Sequence, residues 1–222
     1  GGVGGAGGAG GSGGGPITPT AKIDLLLMID NSISMADKQQ VLVDSVPRLL
    51  QRLVKPNVDP GTGQPEIKAI ADLHIGVISS SIGGHGADQC SEGGPGSNPT
   101  QNDHARLMPS VRPGIGLPSY QDLGFLWWAP SSGGESDIGK LQADFQAHVM
   151  AAGEMGCGYE AQLEAWYRFL VDPAPPLAIV VNNNNAEPQG IDDVVLMQRA
   201  DFLRPDSAVV VLMLTDENDC SI

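Results

Sequence analysis

Apolar residues fall in two kinds of block along this chain, short unbroken runs and longer stripes at helical spacing. KIDLLLMID (22–30) is a run too short for a helix and too continuous for a half-solvated strand, so it predicts a buried strand. DKQQVLVDSVPRLLQRLV (37–54) carries Val41, Val43, Val46, Leu49, Leu50, Leu53 and Val54 on a helical stripe, with Pro47 inside it expected to kink or locally disrupt the helix. PNVDPGTGQPE (56–66) is a turn-rich connector, and ADLHIGVISSSI (71–82) alternates Leu73, Ile75 and Val77 as a second strand. FLWWA (125–129) is a candidate third strand. DIGKLQADFQAHVMAA (137–152) predicts a helix with Ile138, Leu141, Phe145, Val149 and Met150 on one face, and YEAQLEAWYRFLVD (159–172) another with Leu163, Trp166, Tyr167 and Leu170 along one side. LAIVV (177–181) reads as a short strand or a core-docking segment, IDDVVLMQRADFL (191–203) as a helix, and SAVVVLMLTD (207–216) as a buried strand of the parallel type.

Strand, helix, strand, hairpin partner, helices, strand is the order of an α/β fold, a doubly wound, mostly parallel sheet flanked by helices. The expected domain covers 21–222, with a long loop insertion at about 83–135 that is rich in Gly, Pro, Ser and Asn. Ile222 follows Asp216 by only six residues, so the domain is expected to be partial, cut short at its C-terminus. Residues 1–20 are nearly pure Gly with Ala and Ser, then Pro and Thr. Such a segment has little to bury and much backbone entropy to lose, which predicts a flexible tether outside the fold.

Charge narrows the partners. With 26 acidic and 12 basic residues, a formal charge of -14 and no basic cluster, the chain would repel a phosphate backbone, so nucleic acid is excluded as an expectation. The same balance suits divalent cations, as it also suits a plain solvated acidic surface. The longest apolar runs, LLLMI (25–29) and AVVVLML (208–214), are far shorter than the ~20 residues that span a bilayer. The chain opens on Gly1 rather than Met, so a leader peptide would not be visible in it.

Chemistry concentrates at IDLLLMIDNSISM (23–35). Asp30, Ser32 and Ser34 follow the apolar run at alternate positions, which puts hard oxygen donors at the carboxyl end of a strand, where open α/β sheets hold their sites. Mg²⁺ takes oxygen ligands in an octahedron, keeps several waters and uses one or two carboxylates. MIDNSISM resembles the D-x-S-x-S element of von Willebrand factor type A (vWA) domains, and VVVLMLTDEND resembles the strand of that family that ends in a second Asp, here Asp216. The resemblance implies a metal-ion-dependent adhesion site in which Asp30, Ser32, Ser34 and Asp216 hold Mg²⁺ or Ca²⁺, and a protein partner completes the coordination with a carboxylate. No bond is broken in such binding, so the domain is expected not to be an enzyme.

The chain departs from the family at the third element, a Thr on a loop ahead of a helix. The best match is Gly156-Cys157-Gly158, with Cys157 in the Thr place, and a thiol is a poor ligand for a hard cation. Glu217 and Asp219 could add oxygens, or simply mark a charged strand end. The vWA topology would bring Cys157 and Cys220 together, which implies a disulfide between them and leaves Cys90 free or paired elsewhere. Disulfides imply export. The Gly-rich start, GCGYEAQLEA, FLRPD and TDENDCS resemble vWA-type surface lipoproteins of myxobacteria and related soil bacteria, implying a lipid-anchored protein of the cell surface, outer membrane or periplasm.

Three further readings complete the expectations. A metal-free, disulfide-stabilised structural or interaction module of the same fold is the first alternative, and an exported hydrolase using a metal-activated water is the second. The chain lacks a G-x-S-x-G elbow and a G-x-x-x-x-G-K-[ST] loop. His74 is read as a half-buried strand residue and His148 as a surface one; His85, His104, Asp88, Cys90 and Asp103 match no zinc spacing. Trp127 and Trp128 point to opposite faces of a strand, so at least one of them is core.

Overall fold

The chain is described by a computed structural model over residues 22–83, 102–157, 160–183 and 185–221. The Gly-rich segment 1–20, His85, Asp88 and Cys90 lie outside the described residues. The elements are β1 (Lys22–Ile29), α1 (Ala36–Val54), β2 (Asp72–Ser79), the single turn α2 (Met108–Val111), β3 (Leu126–Trp128), α3 (Ile138–Ala151), α4 (Gln162–Leu170), β4 (Ala178–Asn182), β5 (Asn185–Gln189), α5 (Asp193–Phe202) and β6 (Ala208–Leu214). The main sheet has the order β3-β2-β1-β6. β1 pairs parallel to both β2 and β6, and β3 pairs antiparallel to β2. β4 and β5 form a separate antiparallel hairpin.

The strand period of two explains the layers. Leu25, Leu27 and Ile29 of β1 join Leu73, Ile75 and Val77 of β2, Trp128 of β3, and Val43, Val46 and Leu50 of α1 and Leu141, Phe145 and Val149 of α3 in one core. Leu26, Met28 and Ile78 face the opposite side, against Phe125 just ahead of β3, Ala165 and Phe169 of α4, and Val195 and Phe202 of α5. The fold is therefore α/β, with a mostly parallel sheet flanked by helices on both faces. Trp128 lies in the first core and Trp127 packs partly buried against the second, as the alternation requires.

At the amino end of β1, buried Asp24 locks the turn into β6. It accepts hydrogen bonds from Arg204 N (2.9 Å) and Arg204 Nε (2.8 Å) and from the Ser207 hydroxyl. His74 is buried beside it, with Nδ1 2.7 Å from Phe202 O. That fits the structural role read from its strand.

Pro47 does not break α1, which runs unbroken through it. Proline removes the N–H that would bond the carbonyl four residues earlier, and that carbonyl, Val43 O, instead accepts from Gln146 Nε2 of α3 at 2.9 Å. Gln142 Nε2, one turn before, donates to Pro47 O at 3.0 Å. Gln146 of α3 thus fills the gap in the ladder of α1, and Gln142 holds the proline's own carbonyl.

Several faces differ from expectation. Met150 is 62% exposed, at the margin of the α3 stripe, and on α4 the buried residues are Ala165, Arg168 and Phe169 while Leu163 and Tyr167 are exposed. His148 is fully buried, not superficial, because the 102–135 segment folds over α3 and offers it Pro118 O at 2.6 Å from Nε2. That segment carries the candidate strand as β3 and, beyond expectation, the turn α2, and buried Asp103 anchors it by taking a hydrogen bond from Ser79 Oγ (2.5 Å) and pairing with Arg112. Asp103 is thereby committed to structure rather than to zinc. β6 is the largest correction: Val209, Val210, Leu212 and Met213 are each 40% or more exposed. Its apolar run reads as buried, but among the described residues it is the outer strand of the sheet, paired with β1 alone.

Candidate cation site at the carboxyl edge of the sheet

The last bond of the β1–β6 ladder, Asp30 N to Leu214 O at 2.9 Å, leaves Asp30 at the carboxyl end of the sheet with its side chain buried. The chain then turns sharply. Asp30 Oδ1 accepts from Ser32 N (2.9 Å), Met35 N donates to Ser32 O (3.0 Å), and a 3-10 turn over Ile33–Met35 leads into α1. Met35 is buried and pins the turn, while Ile33, between the two serines, is 80% exposed.

This turn brings the oxygens together. Ser32 Oγ lies 3.1 Å from Ser34 Oγ, and Ser34 Oγ donates to Asp216 Oδ1 at 3.0 Å. Thr215, just past β6, donates from Oγ1 to Asp30 Oδ2 at 2.8 Å. Asp30, Ser32, Ser34 and Asp216 therefore form one connected cluster of two carboxylates and two hydroxyls. Among the described residues, no group of three or more His, Cys, Asp or Glu is placed to hold a metal; half of the donors here are hydroxyls.

Lys38 adds a charge that the sequence reading did not include. Its Nζ donates to Ser34 O at 2.8 Å and pairs with Asp216 Oδ2 at 2.9 Å and with Asp37 Oδ1 at 3.1 Å. The hydrogen bond from Lys38 holds the Asp216 carboxyl below the usual range, and that of Asp216 raises the Lys38 ammonium. Position i+4 from Ser34 on a helical turn was the available signal.

The third loop is tied to the first by Asn31, which is buried. Its Nδ2 donates to Ala152 O (2.9 Å), its Oδ1 accepts from Ser81 Oγ (2.8 Å), and its carbonyl accepts from Gly156 N (2.7 Å). A Cβ on Gly156 would stand 2.3 Å from Asn31 Oδ1 and 2.6 Å from Ser81 Oγ, so only glycine fits.

Cys157 is buried, with its N–H bonded to Ser81 Oγ at 2.8 Å. It is disulfide-bonded, whereas Cys220 is a free thiol, so the Cys157–Cys220 bridge is not formed. The expected proximity exists in the backbone alone, where Cys220 N donates to Glu160 O at 2.8 Å. Asp219 is not a spare ligand either: its Oδ1 accepts from Leu163 N (2.9 Å) and Ser221 Oγ (2.9 Å), satisfying the start of α4.

Glu160 is the acidic residue the sequence reading overlooked. Burial raises its carboxyl above the ordinary value, and the charges of Asp30, Glu217 and Asp216 raise it further. Its signal was weak, a Glu three residues past Cys157 in a stretch read as the opening of a helix. Comparisons with protein-family models, with curated proteins and with solved structures give no match.

Proposed function

We propose that this chain is a vWA-like, divalent-cation-dependent protein-binding domain, whose ion is held by Asp30, Ser32, Ser34 and Asp216. The observation that carries the reading is oxygen spacing. Octahedral Mg²⁺ with ligands at about 2.0–2.1 Å sets neighbouring oxygens about 2.9 Å apart, and seven-coordinate Ca²⁺ at about 2.3–2.6 Å sets its equatorial oxygens about 2.7–3.1 Å apart. The Ser32–Ser34 and Ser34–Asp216 oxygen pairs, at 3.1 and 3.0 Å, fit adjacent positions around either ion.

When bound, the ion would supply an electrophilic position for a carboxylate of the partner. The protein's own residues do the rest. Ser34 Oγ donates its proton to Asp216 and, with that proton committed, accepts from Ser32 Oγ, which leaves it one lone pair for an ion. Asp30, with one lone pair of each oxygen taken by Ser32 N–H and Thr215 Oγ, retains capacity to hold a coordinated water. Exposed Ile33 beside the serines and Met155 ahead of Gly156 add apolar surface near the serines and the third loop, and a groove of about 390 Å³ between α1 and the end of α3 is lined by Val43, Met150 and Met155 together with Gln39, Gln40 and Glu154. Apolar contact around a charged centre suits a protein partner. An exported, lipid-anchored setting belongs to the same proposal, on the strength of the resemblance.

Titration calorimetry with Mg²⁺ and Ca²⁺ tests the reading: wild type gives saturable heat with at least one of the two ions, and Ser34→Ala loses it. Absence of heat with either ion would overturn it. A metal-free interaction module is the second reading, favoured by the Lys38–Asp216 pair, which already neutralises part of the cluster. In that case Lys38→Met changes partner binding and chelators change nothing.

A further inference from the structure

Lys38 occupies ground that a bound ion needs. Its ammonium spans Asp216 Oδ2 and Ser34 O, two groups of the same turn-and-strand pair that bring together the Ser34 and Asp216 oxygens. Every donor of the ammonium has a protein acceptor, from Ser34, Asp216 and Asp37. The stem is flexible and the side chain 44% exposed, and Asp37, 83% exposed, stands outside the cluster. An ammonium leaving Asp216 therefore keeps a partner without leaving the helix turn.

Resting on the cation reading above, we infer that Lys38 is the internal competitor of the divalent ion: its ammonium holds Asp216 and Ser34 until the ion displaces it toward Asp37. A unit positive charge about 5 Å from a divalent ion in a water-like medium weakens the ion's binding by about tenfold. The domain thus engages its ion only above a threshold concentration, and Lys38 sets where that threshold lies. A fixed surface lysine with no such role would leave ion affinity unchanged and would not move on ion addition.

The test uses the full chain in two ways. Mg²⁺ affinity is measured by calorimetry for wild type and Lys38→Met, which keeps the stem and removes the charge, after circular dichroism shows both folded. The Lys38 Cε resonance is followed in wild type through a Mg²⁺ titration, with Asp216→Asn marking its released position. Affinity about tenfold tighter in Lys38→Met, and a Cε resonance moving to the released position as Mg²⁺ saturates, are expected. Binding seen only in Lys38→Met supports both the inference and the cation reading. Equal or weaker affinity in Lys38→Met, or a Cε resonance that stays in place while wild type binds, overturns the inference and leaves the cation reading standing. No binding in either protein removes the cation reading, and the inference with it.

Discussion

At the scale of single residues, Gly156 is where one added atom matters most. A methyl group there meets Asn31 Oδ1 and Ser81 Oγ well inside contact distance, so Gly156→Ala must push the third loop off Asn31 and break the 2.7 Å bond from Gly156 N to Asn31 O. The expected outcome in urea denaturation is a loss of about 2 kcal/mol, together with weaker Mg²⁺ binding. Unchanged stability would mean the loop is not latched as described. Two histidines set a pH dependence. Burial lowers His74 and His148 below the ordinary imidazole value, for His74 against the pull of Asp24 and Asp72 and for His148 against that of Asp144. A group that stays neutral in the folded state binds fewer protons there than when unfolded, so its contribution is present above the unfolded imidazole value and is lost as pH falls below it. Each histidine can remove up to about 1.4 kcal/mol per pH unit in that range. The raised Glu160 and Asp103 carboxyls act in the opposite direction, so the test is a difference: between pH 7.5 and 5.5 the denaturation midpoint should fall less, or rise more, in His148→Gln than in wild type, and equal slopes would contradict neutral burial of His148. Asp30, Ser32 and Ser34 were legible because hard oxygens at a strand end follow simple rules, and Asp216 through the family resemblance. Lys38, Asn31 and Glu160 were not, because their roles arise from turns and loops that meet only in three dimensions.

At the scale of elements, the meeting of α1 and α3 gives the sharpest prediction. Gln146→Leu strips the amide donor that bonds Val43 O, a carbonyl that Pro47 cannot serve, and should destabilise by about 1–2 kcal/mol. Pro47→Ala restores an N–H to the ladder, so in that background the same Gln146→Leu change should cost little. A double-mutant cycle by chemical denaturation reads this coupling directly, and additive effects would mean Gln146 does not substitute for the missing bond. Element existence was plain in the periodicity of β1, β2, α1, α3 and α5. Which face each helix buries was less so: Met150, Leu163 and Tyr167 sit at stripe margins, where a small rotation set by the neighbouring helix decides exposure. β5 was missed because NAEPQ has no apolar alternation; it exists through its pairing with β4.

At the scale of the whole molecule, two surfaces dominate behaviour in solution. β6 presents Val209, Val210, Leu212 and Met213 to solvent, and an apolar outer strand is a template for association. Light scattering after size exclusion should show concentration-dependent self-association of this chain, reduced in the Val210→Lys/Leu212→Lys variant; a monomer at all concentrations would contradict the exposure of that strand. The fold class was legible from element order, but the exposure of β6 was not, since an apolar run reports what a strand can bury and says nothing of what covers it. The second surface is electrostatic. A formal charge of -14 attracts divalent cations broadly, so binding alone does not locate an ion. Location is what distinguishes a site built by Asp30, Ser32, Ser34 and Asp216 from diffuse attraction, and anomalous diffraction from crystals grown with Mn²⁺ in place of Mg²⁺ measures it. The expected result is one dominant peak about 2.2 Å from both Ser32 Oγ and Ser34 Oγ, with Lys38 Nζ displaced from Asp216. A peak elsewhere, or none at that cluster with Lys38 still on Asp216, would contradict the cation site.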